Sequence, residues 1–381
     1  MRPSRRTLLA HAVVLAACAS QHLQAQASNT PNLHRRTSHA DSLAAALDEK
    51  APGWLAASGV PSISVAYIKD GAVQWVRAHG EQSQGVPATP RTVYNVASLA
   101  KPVFAETMLR LAGEGRISLD EPLAGHWIDP DVAGDPRHRR LTPRIALSHR
   151  TGFKNWRFQT EGVLRFDADP GTALGYSGEG FEYTRRFAEK KLGESFESLA
   201  ARYVLGPSGM TSTAHTRREW FAGRIAIPRG PEGRYGDPSI QDTANAADDL
   251  YTTAGDYAAF VISVMNRDRL PAAIAAQRDS IHAVNPSPNA CGSGPGAACP
   301  TRVGMGLGWE ILEFPRETVR MHTGGDWGES AMAFYFAGRG EGAVILTNGA
   351  SGMKVILEVM DLLFHDTDLA ASARSYRDSS R

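Results

Sequence analysis

The sequence lacks several features that define common protein classes. Lys and Arg total 41 against 40 Asp and Glu among 381 residues, so no excess of one charge sign attracts nucleic acid or an anionic membrane. No internal apolar run reaches the roughly 18 residues that span a bilayer. The 12 histidines include no H-E-x-x-H pair, and G-x-S-x-G, the nucleophile motif of α/β-hydrolases, is missing as well. We therefore predict a globular protein with a sizeable core, no metal or other cofactor, and no nucleic-acid partner.

Cysteine is also scarce, with 3 in the chain. Cys291 and Cys299 lie in a loop rich in glycine and proline, and Cys18 lies near the N-terminus. In an oxidising compartment, a disulfide between Cys291 and Cys299 is the natural interpretation. A metal site is the competing interpretation, but it needs further ligands, and this pair has no histidine close to it.

Residues 1–27 have the form of an export signal, with a basic head followed by the apolar run 7–17. Its paired arginines resemble a twin-arginine signal, although ordinary leaders contain such pairs too. Residues 15–18 resemble a lipobox, which would leave Cys18 acylated and the protein anchored to a membrane. Cleavage after Ala27 would instead release a soluble protein. Both routes predict an exported, periplasmic protein, and only the first links it to a membrane, through a lipid at Cys18.

The mature chain divides into three parts by composition. Residues 28–37 are polar and are predicted to be a tether. Residues 38–366 contain the periodic apolar segments of a folded domain. Residues 367–381 are polar, and we predict a disordered tail.

The folded part is predicted to open with a helix capped at Ser38 and a hairpin that turns at Asp70-Gly71. Several helical segments follow, and the last third returns to strands and a final helix. The predicted strands of that last third are 307–312, 316–322, 331–337 and 343–346. This order predicts an α/β (α+β) fold, in which an antiparallel sheet is flanked by the N- and C-terminal helices and a mostly helical lobe is inserted.

Ser98 and Lys101 stand three residues apart at the start of a segment with helical spacing. Residues three apart share one face of a helix, so the amine would lie beside the hydroxyl. A partly desolvated lysine has a lowered pKa and can accept the proton of a serine, which makes the serine a nucleophile. Ser351 and Lys354 repeat the spacing near the C-terminus, so spacing alone does not identify the site.

Three motifs in chain order separate the two pairs. They are Ser98-Leu99-Ala100-Lys101, Tyr176-Ser177-Gly178 and His322-Thr323-Gly324-Gly325. They resemble the S-x-x-K, Y-x-N and K/H-T-G motifs of the penicillin-recognising serine hydrolases, and above all the class C β-lactamase-like family. That family includes D-alanyl-D-alanine carboxypeptidases, D-aminopeptidases and esterases. Because Ser351 follows all three motifs, we interpret Lys354 as part of a terminal helix that packs on the sheet.

The resemblance extends over about residues 40–365 and implies a β-lactamase/transpeptidase-like fold with an acyl-enzyme mechanism. Ser98 would attack a carbonyl carbon, and Lys101 would accept or relay its proton. Tyr176 would exchange a proton with Ser98 or the leaving group, with its own pKa lowered by the nearby cation.

The third motif implies the rest of the site. The backbone N–H groups of Ser98 and Gly325 would form the oxyanion hole. His322 and Thr323, with Gly324 beside them, would orient a small-molecule or peptide substrate and grip its carboxylate where it has one.

Two departures from the family pattern bear on the substrate. Gly178 stands where the family usually has an asparagine that binds the substrate's amide, and His322 stands where β-lactamases usually have lysine. We therefore favour hydrolysis of an ester or a small D-amino-acid amide. The alternatives are a true β-lactamase or D-alanyl-D-alanine carboxypeptidase and, from another class, a catalytically weak binding or sensor protein.

Four further side chains carry two interpretations each. His149 has a family appearance but no assignable chemistry, and we favour a hydrogen-bonding structural role. Trp156, Trp309 and Trp327 would either shape the pocket or fill the core.

Overall fold

The fold is described from a computed structural model, over residues 38–286 and 299–379. The predicted export signal, Cys18 and the tether lie outside the described residues. Cys291 does too, so the Cys291–Cys299 disulfide stays a prediction. Within the described ranges, no helix combines the length and apolarity needed to cross a membrane.

Helices and strands follow the predicted order. The strands are β1 (Ser62–Lys69), β2 (Ala72–Ser83), β3 (Val86–Pro87), β4 (Tyr94–Asn95), β5 (Tyr251–Thr252), β6 (Ala283–Val284), β7 (Arg302–Met305), β8 (Glu310–Glu313), β9 (Thr318–Gly325), β10 (Ser330–Phe336) and β11 (Glu341–Thr347). The helices are α1 (His39–Ser58), α2 (Ala100–Gly113), α3 (Pro143–Leu147), α4 (Gly178–Leu192), α5 (Phe196–Ala200), α6 (Ala254–Met265), α7 (Ala272–Arg278), α8 (Gly352–Phe364) and α9 (Asp368–Ser379).

Both ends of the chain build one antiparallel sheet, in the order β3-β2-β1-β11-β10-β9-β8-β7-β6. β1 pairs with β11, with Val65 opposite Ile345. The β1–β2 hairpin turns at Asp70 and Gly71, which have φ values of 54° and 69°. Positive φ at both turn residues is what a two-residue hairpin of this type requires, so the predicted turn is confirmed.

The sheet is covered on both faces. Along β11, Ala343 and Ile345 face a core formed with α1, α8 and α9, whereas Val344 and Leu346 face the core of the helical lobe. Alternation of side chains along a strand explains why one continuous apolar run serves both layers. The predicted architecture is confirmed, and Trp309 is a core residue with 1% of its surface exposed.

Two local predictions are wrong. The strand predicted over 307–312 begins only at Glu310, because Gly308 takes a left-handed φ of 85° and turns the chain. The C-terminal segment, predicted to be disordered from Thr367, forms α9 over Asp368–Ser379. Its Leu369 is 4% exposed in the core beside α8. The segment is polar on average, but its helix has an apolar stripe made mainly of alanine. This stripe is enough to pack the helix against an existing core.

The rival pair takes the predicted structural position. Ser351 precedes the first turn of α8, and Lys354 is exposed on that helix. α8 packs its apolar face on the sheet and on α1.

Candidate active site

Ser98 lies in a strained turn between β4 and α2. Ala97, the residue before it, has a left-handed φ of 46°. The side-chain oxygen of Asn95 accepts a hydrogen bond from the Ala97 N–H at 3.0 Å and holds this conformation. A non-glycine residue pays about 1–2 kcal/mol for such a φ, and strain of this kind concentrates at functional sites.

Lys101 lies in the first turn of α2 and has no exposed surface. Its Nζ is 3.0 Å from Ser98 Oγ and donates to the Ala247 carbonyl oxygen at 2.9 Å. Burial lowers the pKa of Lys101 to about 7, against the opposing influence of Asp248 and Glu182. Near neutral pH a large share of the molecules therefore holds an uncharged amine in contact with the serine, and such an amine can take the serine's proton.

Tyr176 lies across the site, just before α4. Its hydroxyl hydrogen-bonds Ser98, and its ring centroid is 4.8 Å from Lys101 Nζ. The expected lowering of its pKa is wrong. Burial raises the pKa of Tyr176 well above its ordinary value and outweighs the hydrogen bond from Ser98. Tyr176 is therefore a neutral hydroxyl that can relay a proton, and Lys101 is the better base.

His149 holds Tyr176 in position. Its ring stacks on the Tyr176 ring at a centroid distance of 4.3 Å, and its Nδ1 accepts from the Ser177 N–H at 3.0 Å. Its carbonyl oxygen accepts from the Gly175 N–H at 2.8 Å. Burial lowers the pKa of His149 well below its usual value, so the ring is a neutral support. The predicted hydrogen-bonding role is confirmed.

The end of β9 lies against the turn that carries Ser98. A side chain at Gly324 would collide with the carbonyl oxygen of Val96, so only glycine allows this approach. Thr323 and Gly325 are exposed on either side of Gly324. Gly324 therefore lies against Val96 and Leu99, the residues on either side of the turn that carries Ser98. The oxyanion hole formed by Ser98 and Gly325 stays a prediction.

His322 lies on β9 and is 4% exposed. Its Nδ1–H donates to the Thr323 carbonyl oxygen at 2.7 Å, whereas Nε2 has no partner among the described residues. Burial and the neighbouring Lys101 lower the pKa of His322 to about 3. At neutral pH this imidazole therefore carries no charge with which to hold a substrate carboxylate.

Three buried carboxyl groups that the sequence did not single out interact with one another, and one of them, Asp248, also acts on Lys101. Burial raises the pKa of Asp248 to about 6 and those of Asp249 and Glu329 to about 7. Asp248 directly follows Ala247, the residue whose carbonyl oxygen binds Lys101. The Ala-Asp-Asp run is visible in the sequence, but 146 residues separate Ala247 from Lys101, and a backbone acceptor leaves no pattern in the sequence.

The described residues include no group of His, Cys, Asp and Glu arranged to hold a metal.

The tryptophans differ in position. Trp156 is half-buried beside Gly178, and its ring centroid is 5.8 Å from Lys101 Nζ. Trp327 is 49% exposed on the loop after β9 and packs on Gly230 and Gly236. Of the three tryptophans considered from the sequence, Trp156 therefore contacts the catalytic groups.

Comparison with known proteins identifies the family of this chain. The sequence model of the family described as "Beta-lactamase" matches residues 40–358. The chain is 24% identical over 319 residues to "Unguisins hydrolase ungD" of Aspergillus violaceofuscus, covering 70% of this chain and 54% of that protein. It is 26% identical over 199 residues to the D-alanyl-D-alanine-carboxypeptidase/endopeptidase AmpH of Escherichia coli, covering 45% and 51%.

The chain thus spans about half the length of the curated relatives it matches. Among solved structures, the octameric penicillin-binding protein homologue from Pyrococcus abyssi superposes with a TM-score of 0.73 at 21% identity, covering 88% of this chain and 80% of that one. At this identity the likeness concerns the fold.

Proposed function

The chain belongs to the β-lactamase family. From this premise we propose that it is an exported serine hydrolase, which acts through an acyl-Ser98 intermediate on an ester or a small D-amino-acid amide. One observation carries the proposal. The buried amine of Lys101, whose pKa burial lowers to about 7, lies 3.0 Å from Ser98 Oγ. A binding or sensor protein has no use for an uncharged lysine in contact with a serine hydroxyl.

The reaction has two halves. Lys101 takes the proton of Ser98 while Oγ attacks the carbonyl carbon, and the N–H groups of Ser98 and Gly325 donate to the developing oxyanion. The Tyr176 hydroxyl relays the proton that Lys101 took to the leaving group as the bond of that group to carbon breaks, so that Lys101 is uncharged again. Water then attacks the acyl-enzyme and loses its proton to Lys101. Lys101 returns this proton to Oγ as the bond between Oγ and the acyl carbon breaks, which releases the acid and free Ser98.

The charges around the site favour a substrate without a carboxylate. His322 is neutral, and burial lowers the pKa of Lys101 as well. A β-lactam or a D-alanyl-D-alanine peptide would bring its carboxylate to a site with little positive charge to hold it. An ester or an amide without that group does not need such a charge.

Labelling with a fluorophosphonate probe tests the nucleophile. The probe is expected to add mass to Ser98, and Ser98→Ala is expected to abolish labelling. Ser351→Ala is the matched control, because this serine has the same spacing to a lysine at the start of a helix, and it should label like the wild type. Labelling that survives in Ser98→Ala contradicts the assignment.

A substrate panel separates the remaining alternatives. It contains nitrophenyl esters, D-aminoacyl amides, D-Ala-D-Ala peptides and cephalosporins. Turnover of the esters or D-aminoacyl amides supports the proposal, whereas faster turnover of cephalosporins or D-Ala-D-Ala peptides favours a β-lactamase or carboxypeptidase. A protein that turns over none of them favours the binding or sensor alternative.

Export is proposed from the basic head and apolar run within residues 1–27. The intact mass of the protein recovered from the periplasmic, membrane and cytoplasmic fractions distinguishes the two routes. A lipid-modified Cys18 supports the anchored form, cleavage after Ala27 supports the soluble form, and retention of the full leader in the cytoplasm contradicts export.

A further inference from the structure

Gly178 has no side chain because the indole of Trp156 occupies the space. Gly178 is the first residue of α4 and is not among the glycines with positive φ, so its backbone conformation suits any residue. A Cβ built on it would lie 2.7–2.9 Å from the Trp156 ring carbons Cη2, Cζ2 and Cζ3. These distances are too short for any side chain at position 178 beside this indole. We therefore call Trp156 and Gly178 a matched pair.

The chain on both sides of Trp156 is bound to the start of α4. The Asn155 side-chain oxygen accepts from the Gly178 N–H at 2.8 Å, and the Asn155 carbonyl oxygen accepts from the Glu179 N–H at 3.0 Å. On the other side, the Arg157 guanidinium donates to Glu179 at 2.8 Å. These bonds fix the backbone of Trp156 beside Gly178.

The matched pair also lies at the reaction centre. Lys101 Nζ is 5.8 Å from the centroid of the Trp156 ring, and Gly178 is two residues from Tyr176. The indole is only half-buried, so part of its surface remains open. The carbon edge of the ring, which has no hydrogen-bonding atom, faces the position where an amide side chain would stand in the family pattern.

We propose that Trp156 and Gly178 form an apolar subsite for the acyl group, which selects acyl groups without an amide next to the reacting carbonyl. This inference rests on the proposed serine hydrolase function. A substrate amide placed against ring carbons loses its water and gains no partner, and such unpaired polar groups lower rates by roughly 10- to 100-fold or more. An alkyl or aryl acyl group has no hydrogen bonds to water to lose at this position, and it gains contact with the ring.

Two nitrophenyl esters of nearly equal shape measure this preference. The 4-methylpentanoate carries an alkyl chain where the N-acetylglycinate carries an amide, and both release the same nitrophenol. Each kcat/KM is divided by the ester's rate with hydroxide, which removes the difference in intrinsic reactivity. The wild type is expected to prefer the alkyl ester by at least about tenfold.

Three variants show whether Trp156 causes the preference. Trp156→Ala should reduce it to within about threefold, and Trp156→Phe should retain it. Trp54→Ala is the matched control, because it removes another half-buried indole from α1 on the far face of the sheet, and it should leave the preference unchanged. If Trp156 only supports Lys101, Trp156→Ala slows both esters equally, and the unchanged ratio overturns the proposal.

A double variant tests the matched pair itself. Gly178→Asn alone should lose activity or fail to fold, because its side chain collides with the indole. Trp156→Ala with Gly178→Asn should fold, recover activity, and turn over the N-acetylglycinate at least as fast as the alkyl ester. A Gly178→Asn protein with wild-type activity and ratio overturns the proposal.

Failure of the proposed function and failure of the proposed subsite give different results. If Ser98→Ala still hydrolyses both esters, the proposed function fails. If Ser98→Ala hydrolyses neither ester and Trp156→Ala keeps the wild-type ratio, only the subsite fails.

Discussion

The starts of α2 and α8 carry the same spacing of serine and lysine in different surroundings. At α2, Lys101 is completely buried, and Ser98 contacts both Lys101 and Tyr176. At α8, Lys354 is exposed on a helix that packs against the sheet. Burial removes the water around an amine and pushes it towards the uncharged form, and this acts on Lys101. Burial of the amine, more than its distance from the serine along the chain, makes one pair chemically competent.

Removal of the two amines should give the largest contrast. Lys101→Ala is expected to lower kcat for a nitrophenyl ester by ~10³-fold or more, because the base that takes the serine's proton is lost. Lys354→Ala should change kcat less than twofold, since that side chain is exposed and remote. Steady-state kinetics and circular dichroism on both proteins check activity and folding. Equal losses in the two variants would contradict the assigned difference.

The second prediction concerns Tyr176, whose hydroxyl is hydrogen-bonded to Ser98. Tyr176→Phe retains the ring that stacks on His149 but removes the hydroxyl bound to Ser98. We expect kcat to fall by about 10²-fold with folding unchanged, because the proton relay to the leaving group is lost. Esters with better leaving groups need this proton less and should lose less. An equal loss for good and poor leaving groups would argue that the hydroxyl only positions Ser98.

The pH profile tests whether burial sets the state of Lys101. The amine must be uncharged to act, and burial lowers its pKa to about 7. kcat/KM should therefore rise with pH through about 7, with a roughly tenfold loss for each pH unit below that value. No fall is expected up to pH 9, because burial raises the pKa of Tyr176. An ascending limb centred near 10, the ordinary pKa of a lysine, would mean that burial does not lower the pKa of Lys101.

Different parts of this site were predictable to different degrees. The Ser98–Lys101 contact is local, so helical geometry predicts it, and motif order selects it over the pair at Ser351. The carbonyl oxygen of Ala247 was not predictable, because a backbone acceptor has no side-chain pattern and lies far away along the chain. The pKa of Tyr176 was predicted in the wrong direction because the nearby lysine is visible in the motif, whereas the extent of burial is not.

The fold shows the same division. The strands and the Asp70-Gly71 turn follow from alternation and turn chemistry, which act over a few residues. α9 was missed because its stability comes from tertiary contacts. Leu369 is buried beside α8, and the Asp368 carboxylate accepts from the Arg316 guanidinium at 2.8 Å. The amino-acid composition of a segment gives no information on such tertiary contacts.

The smallest expected effect concerns backbone strain at the two helix starts. Ala97 has a φ of 46°, whereas Ser351, which precedes α8, has a φ of −88°. Ala97→Gly removes the steric cost of the left-handed conformation but gives the unfolded chain more freedom, so we expect a gain of at most ~1 kcal/mol in the free energy of unfolding. Ser351→Gly recovers no strain and should lose a few tenths to ~1 kcal/mol. Urea unfolding of both variants, with the kcat of Ala97→Gly measured in parallel, checks the difference. If Ala97→Gly destabilises the protein as much as Ser351→Gly does, the turn that carries Ser98 stores no strain.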